Sequence, residues 1–182
     1  MSSFDHSRSG RSRKAGRLIL LAAVATVALA ACTVQPLYAP TAAGTSVVAA
    51  LGDVYIEPVD DRVGQEVRNK LIFDLTGGSG QPASARYHMK LVVTSSESAL
   101  GVTPIETAPT YAITVAATYE VRSVADDKIV LRSTSRQSAS YDRVNQVYAN
   151  TRAKLDAENR AAALVADDIR IRLAAAATRG TL

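Results

Sequence analysis

The strict alternation over residues 110–122 most limits what this chain can fold into. Tyr111, Ile113, Val115, Ala117, Tyr119 and Val121 fall on one side; Thr114, Thr118, Glu120 and Arg122 fall on the other. That pattern predicts a strand with one buried and one wetted face. A lone strand or hairpin of this kind is not stable in water, so it needs neighbours and a covering layer. Residues 85–94 supply one neighbour, with Tyr87, Met89, Leu91 and Val93 opposed to Arg86, His88 and Lys90. Ala125-Asp126-Asp127-Lys128 reads as a hairpin turn into a further strand over 129–141. That strand begins apolar at Ile129-Val130-Leu131 and turns serine- and threonine-rich, as an edge or largely solvated strand would. Asp53 to Val59 alternates and reads as a first strand. Residues 95–109, small and polar with Gly101, Pro104 and Pro109, read as a long loop.

Two segments carry helical periodicity instead. Val63, Val67, Leu71 and Leu75 recur every four residues, with Asp60 or Asp61 placed to cap the start and Gly77-Gly78 to end it. Gly64, unfavourable inside a helix, marks a close contact. From Asn145 to Ala177 a long alanine-rich helix is predicted, with Tyr148, Leu155, Ala162, Val165, Ile169 and Leu173 along one stripe. The element order is β-α-β-β-β-α. Neither helix can bury its stripe alone, so the expected fold class is α+β. It would be a two-layer sandwich, two helices packed on one face of a four-stranded, mostly antiparallel sheet.

The amino terminus is of another kind. Residues 1–17 are polar and basic, and residues 18–31 form an apolar run broken only by Thr26. Such a run suits a signal-peptide core and falls short of the roughly 20 residues a membrane span requires. The chain has 21 basic and 17 acidic residues; residues 1–31 hold five of the former and one of the latter, so removing them leaves sixteen of each. The pI near 9.4 therefore belongs to the leader. A neutral mature chain has no global field to hold a polyanion, which argues against nucleic acid as a partner. Cys32 is the single cysteine, and one cysteine forms no intramolecular disulfide.

Leu29-Ala30-Ala31-Cys32 resembles the lipobox of bacterial lipoprotein precursors. The resemblance implies that residues 1–31 are cleaved off and that Cys32 becomes an acylated amino terminus. Thr33, rather than Asp, then favours the outer membrane over the inner. Residues 32–51 are expected to be the lipidated start and a tether, and residues 52–178 the folded domain. Cys32 followed by Pro36-Leu37-Tyr38 resembles the Cys-x-x-x-Pro-Leu-Tyr start of the LptE family of lipopolysaccharide-assembly lipoproteins. The segment from Asp61 to Leu71 is similar to that family's first helix in alphaproteobacterial-type members. Ser140-Tyr141, Tyr148-Ala149 and the run Ala166 to Leu173 resemble its last strand and final helix. Thr33 and Val34, and the loop 95–109, depart from the commoner family pattern.

The resemblance implies a non-enzymatic protein that plugs the large outer-membrane β-barrel LptD and assists assembly of lipopolysaccharide. It further implies that the domain stands in the periplasm or the barrel lumen and that lipopolysaccharide is a candidate direct ligand. The alternative is an auxiliary lipoprotein of an ABC-type lipid transport system, which would copurify with inner-membrane transporter subunits. Lipopolysaccharide carries phosphates and carboxylates, which Arg and Lys recognise. The strand and turn cations Arg86, Lys90, Arg122, Lys128, Arg132 and Arg136 are the candidates to meet it, against an ordinary solvated sheet face as the plainer explanation. Tyr111, Tyr119 and Tyr141 are expected to pack across the sheet rather than to stack on sugars. No catalytic residue, metal set or cofactor beyond the covalent lipid on Cys32 is expected. Apart from His6 in the leader, His88 is the single histidine, and Cys32 would be acylated, so no usual zinc set is available. Gly77-Gly78-Ser79-Gly80 matches neither a nucleophile elbow nor a phosphate-binding loop.

Overall fold

The computed structural model describes residues 46–100 and 110–182. Cys32, the leader and the tether through residue 45 lie outside the described residues, as do residues 101–109. The alternating segments form one sheet in which β1 (Val54–Ile56), β2 (Tyr87–Leu100), β3 (Thr110–Ser123) and β4 (Ile129–Asp142) lie side by side in chain order. β1 runs parallel to β2, and β2–β3 and β3–β4 are antiparallel. Three helices accompany it: α1 (Val47–Gly52), α2 (Arg62–Thr76) and α3 (Val147–Thr178). The expected α+β architecture is present, with the helices on one side of a mixed, mainly antiparallel sheet.

Register explains the two faces. Met89 sits beside Val121 and Val121 beside Leu131; Leu91 sits beside Tyr119 and Tyr119 beside Ser133. The odd-numbered side chains of β2, of β3 and, from Leu131 onward, of β4 therefore share the helix-facing side, since successive side chains alternate. Ile56, Met89, Ile113, Val115, Ala117, Tyr119 and Val121 are fully buried there, against Val67 and Leu71 of α2 and Val165, Ile169 and Leu173 of α3. Tyr111, Tyr119 and Tyr141 all lie on this side, and Tyr111 and Tyr141 stack with ring centres 5.8 Å apart. The tyrosines thus pack across the sheet, as their parity predicts.

α2 starts where Asp61 accepts a hydrogen bond from the Gly64 amide at 2.7 Å and ends on Gly77 in the left-handed conformation. Gly64 is required by this start: a Cβ there would come within 2.4 Å of Val59 and 2.5 Å of the capping carboxylate. α2 and α3 run parallel. Arg62 bonds Glu158 and Asn159, and eight residues on, Lys70 stands 3.6 Å from Asp167. β1, α2 and β2 form a parallel β-α-β unit. Arg68 holds it together from α2 by donating to the Ile56 and Glu57 carbonyls at 3.2 and 3.0 Å.

Four expectations require correction. Residues 47–51 are not tether: Val47, Ala50 and Leu51 of α1 are buried against α2 and α3, so a third helix joins the layer. Residues 95–100 are not loop, because the ladder to β3 continues through Leu100↔Thr110 although few apolar side chains mark it. The first strand is three residues long rather than seven, since Pro58 follows it closely. The buried stripe of α3 runs through Ala157, Ala161, Ala162, Val165, Ala166, Ile169 and Leu173, while Tyr148 is 77% exposed and Leu155 is half-buried. Small alanines let α3 lie close to the sheet, and the large side chains at its start project beyond it.

Candidate functional site

The side of the sheet away from the helices is uncovered by any described residue, and the even-numbered side chains build it. Lys90, Glu120 and Arg132 stand in a row across β2, β3 and β4, and Arg132 pairs with Glu120 at 2.8 Å. One step away, Val92 is followed by Thr118 and Thr134, whose hydroxyls lie 3.1 Å apart. Thr94, Ala116 and Arg136 come next, then Ser96, Thr114 and Ser138. At the other end His88 lies beside Arg122 and against the Tyr55 ring, 5.2 Å between centres. This is a wetted face in which short hydroxyls separate charged pairs.

Four of the six candidate cations, Lys90, Arg122, Arg132 and Arg136, are brought to this face. Arg86 and Lys128 stand at its margins, Arg86 ahead of β2 and Lys128 in the β3–β4 turn. Acids compensate most of them. Arg86 bonds Asp53 at 2.6 Å and lies over the Tyr87 ring; Lys128 meets Asp126 at 3.3 Å. Arg122 donates to the Asp127 carbonyl at 2.9 Å and to its carboxylate at 3.2 Å. That grip fits the turn, where Asp127 takes a left-handed backbone with φ of 53°. Lys90 and Arg136 have no ion-pair partner among the described residues. A depression of about 260 Å³ opens at the Arg122 end, lined by Glu57, His88, Lys90, Glu120, Arg122 and Asp127. Three carboxylates against two cations make it unsuited to a polyanion headgroup. No group of three metal-ligating side chains comes together among the described residues. What the face offers is a compensated, hydrogen-bonding surface for contact with another wetted surface.

A second polar cluster, missed by sequence reasoning, lies on the helix side at the far end of the sheet. Glu97 accepts from Lys154 at 2.6 Å and from the Tyr141 hydroxyl, while Arg143 donates to Tyr111 at 3.1 Å and covers its ring. The Lys154 ammonium, then the Tyr141 hydroxyl, hold Glu97 below the usual carboxylate range. Burial first, then Glu97, push Tyr141 up to about 12. The cluster ties the outer end of β2 to β4 and to α3. Its one signal was the odd parity of Glu97, which continues the inward series of Leu91 and Val93.

The fold is shared with solved lipoproteins. A candidate lipoprotein from Caulobacter crescentus CB15 superposes with a TM-score of 0.58 at 21% identity, covering 71% of this chain and 93% of that one. A minor lipoprotein from Acinetobacter baumannii gives 0.53 at 14% identity, covering 67% and 88%. Rare lipoprotein B from Shewanella oneidensis gives 0.50 at 14% identity, covering 70% and 94%. No curated protein sequence matches the chain. The family model described as LptE, lipopolysaccharide-assembly, matches residues 51–173, a stretch that holds all four strands, α2 and most of α3. With more than half of its length matched in this way, the chain belongs to the LptE lipopolysaccharide-assembly family.

Proposed function

We propose that this chain is a lipid-anchored outer-membrane protein that partners and plugs an LptD-type β-barrel, and that it acts as an assembly scaffold rather than as an enzyme. The observation that carries the reading is the family match over residues 51–173. The uncovered sheet face supports it. Its hydroxyls and compensated charges suit a hydrated barrel lumen, where interior surfaces are polar. No described helix is long and apolar enough to cross a membrane. Attachment through acyl chains on Cys32 would supply the membrane contact, at ~0.8 kcal/mol per buried methylene. Outer-membrane sorting follows from Thr33 after the cysteine. Direct lipopolysaccharide contact on this face falls to Lys90 and Arg136, the two candidate cations without an acid partner among the described residues.

Solubilising the tagged protein in mild detergent and identifying its partners tests the reading. Recovery of a large β-barrel is the expected result; recovery of inner-membrane transporter subunits alone overturns it. Cys32→Ser should shift the protein out of the outer-membrane fraction, and unchanged fractionation would remove the anchor.

A further inference from the structure

The two borders of the sheet are finished differently. β1 is three residues long and the Ile56 amide on its outer side donates to Gln81 at 2.7 Å, so that border is closed along β1 and continues past Met89 as the edge of β2. β4 is fourteen residues long and has no strand on its far side among the described residues. The ladders fix which groups it leaves open. The Val124 amide donates to the Arg86 carbonyl opposite it at 2.9 Å, so the even residues are the hydrogen-bonded pairs of β2 and β3, and the odd residues of β3 turn to the odd residues of β4. The amides and carbonyls of Arg132, Thr134, Arg136, Ser138 and Ser140 therefore point outward. One of these carbonyls, that of Ser140, is taken by Arg160 of α3 at 2.8 Å.

α3 runs antiparallel to β4 along this border, with Arg160 at Ser140 and Arg172 3.2 Å from the Ser133 hydroxyl. Between those two arginines its flank carries Leu164 and Ile171, 47% and 48% exposed. A depression at the Arg160 end is lined by Ser138, Ala139, Ser140, Ala163 and Leu164. A row of open backbone groups with an apolar flank over one side is the form of a strand-addition site: main-chain bonds hold the guest, and pockets read alternate side chains.

We infer that the outer edge of β4, beneath the Leu164–Ile171 flank of α3, receives an extended segment of the partner polypeptide as a fifth strand. The inference rests on the barrel-partner reading above and names the contact through which that partner is held. The guest alternates. Its apolar side chains face Leu164 and Ile171. Its polar side chains lie on the uncovered face, where a carboxylate would meet Arg136, which has no ion-pair partner among the described residues. A second copy of this chain fits less well, because it would line the same seam with its own Arg132, Arg136, Arg160 and Arg172.

Amide hydrogen exchange on the protein, free and in the detergent-solubilised complex it copurifies with, tests this directly. The outward amides of Arg132, Thr134, Arg136 and Ser138 should slow by about tenfold or more in the complex. The odd-numbered amides of β4 are already paired to β3 and should change little. The outward amides of β2 past Met89, at Leu91, Val93 and Ser95, serve as comparators. A barrel that copurifies without slowing the β4 amides, or that slows the β2 comparators instead, overturns the inference and leaves the barrel-partner reading standing. Absence of a copurifying barrel overturns both. Ser138→Pro removes one outward donor at a position an edge strand tolerates. It should keep the free domain's circular dichroism and reduce barrel recovery; undiminished recovery of a folded variant counts against the fifth strand. If that variant does not fold, the exchange measurement on the unaltered protein decides.

Discussion

At the scale of single residues, the Glu97–Tyr141–Lys154 contact makes a pH-dependent contribution whose sign follows from its two shifted groups. Tyr141, pushed up to about 12, keeps its proton in the fold at pH values where a tyrosine of the unfolded chain, near 10, has lost it. Its contribution is complete below about pH 10 and is lost as pH rises toward 12. Glu97 runs the other way. Its lowered value gives a contribution present above the ordinary carboxylate range and lost as pH falls through the lowered value. Urea midpoints measured from pH 8 to 12 should decline more steeply for the unaltered protein than for Tyr141→Phe, and the two curves should approach each other near the top of the range. Tyr119, also raised by burial, is present in both proteins and cancels from the comparison. Parallel curves across that window would show that Tyr141 titrates as an unperturbed tyrosine.

At the scale of elements, the contact of α3 with β4 depends on small side chains on both sides. Ala157, Ala161 and Ala166 are fully buried on the helix, and Ser135 is fully buried in the strand, between Ala117 across the ladder and the helix layer. The Ser135 hydroxyl has no hydrogen-bond partner among the described residues. A buried unpaired hydroxyl costs roughly 1–3 kcal/mol, and alanine fits the same space without it. Ser135→Ala should therefore raise the urea midpoint by the equivalent of about 1 kcal/mol at unchanged m-value; a lowered midpoint would mean that the hydroxyl is bonded. The same reliance on small residues limits what was legible in the sequence. β3 could be read outright because its inward residues are large and its outward ones polar. Parity put Lys90 and Arg122 on the polar sides of their own strands, but the six cations were grouped only as strand and turn residues; it is the register that brings Lys90, Arg122, Arg132 and Arg136 to one face. The stripe of α3 holds from Ala162 through Val165, Ile169 and Leu173, but its beginning was misplaced: alanine gives little contrast on an alanine-rich helix, so Tyr148 and Leu155 drew the line away from Ala157 and Ala161. The outer end of β2 is held by its ladder rather than by burial and leaves no apolar trace. The Glu97 cluster joins residues 44 and 57 positions apart, which no local pattern reports.

At the scale of the whole molecule, the question is where the fold begins, because that sets how the chain leaves it for the membrane. α1 lies beside the end of α2: Val48 and Gly52 share a depression with Leu75, Thr76 and Gly77. Thirteen residues, 33 to 45, separate Cys32 from Ser46. The chain therefore reaches the domain at the helix layer, at the carboxyl end of α2. The Glu97 cluster sits at the opposite end of α3, a helix that at 1.5 Å per residue is about 48 Å long. This arrangement requires α1 to belong to the folded unit, although the family match begins at residue 51 and passes over most of it. Burying Val47 and Leu51 is worth about 1.5–3 kcal/mol each, a large part of the 5–15 kcal/mol that holds a domain of ordinary size together. A chain beginning at Asp53 should consequently unfold at a clearly lower urea concentration than one beginning at Ser46, with a smaller m-value because less surface is buried. Leu51→Ala in the longer chain should reproduce about 2–4 kcal/mol of that loss through the cavity it leaves. If the two lengths unfold at the same urea concentration, α1 contributes nothing to the fold and the folded unit begins at β1.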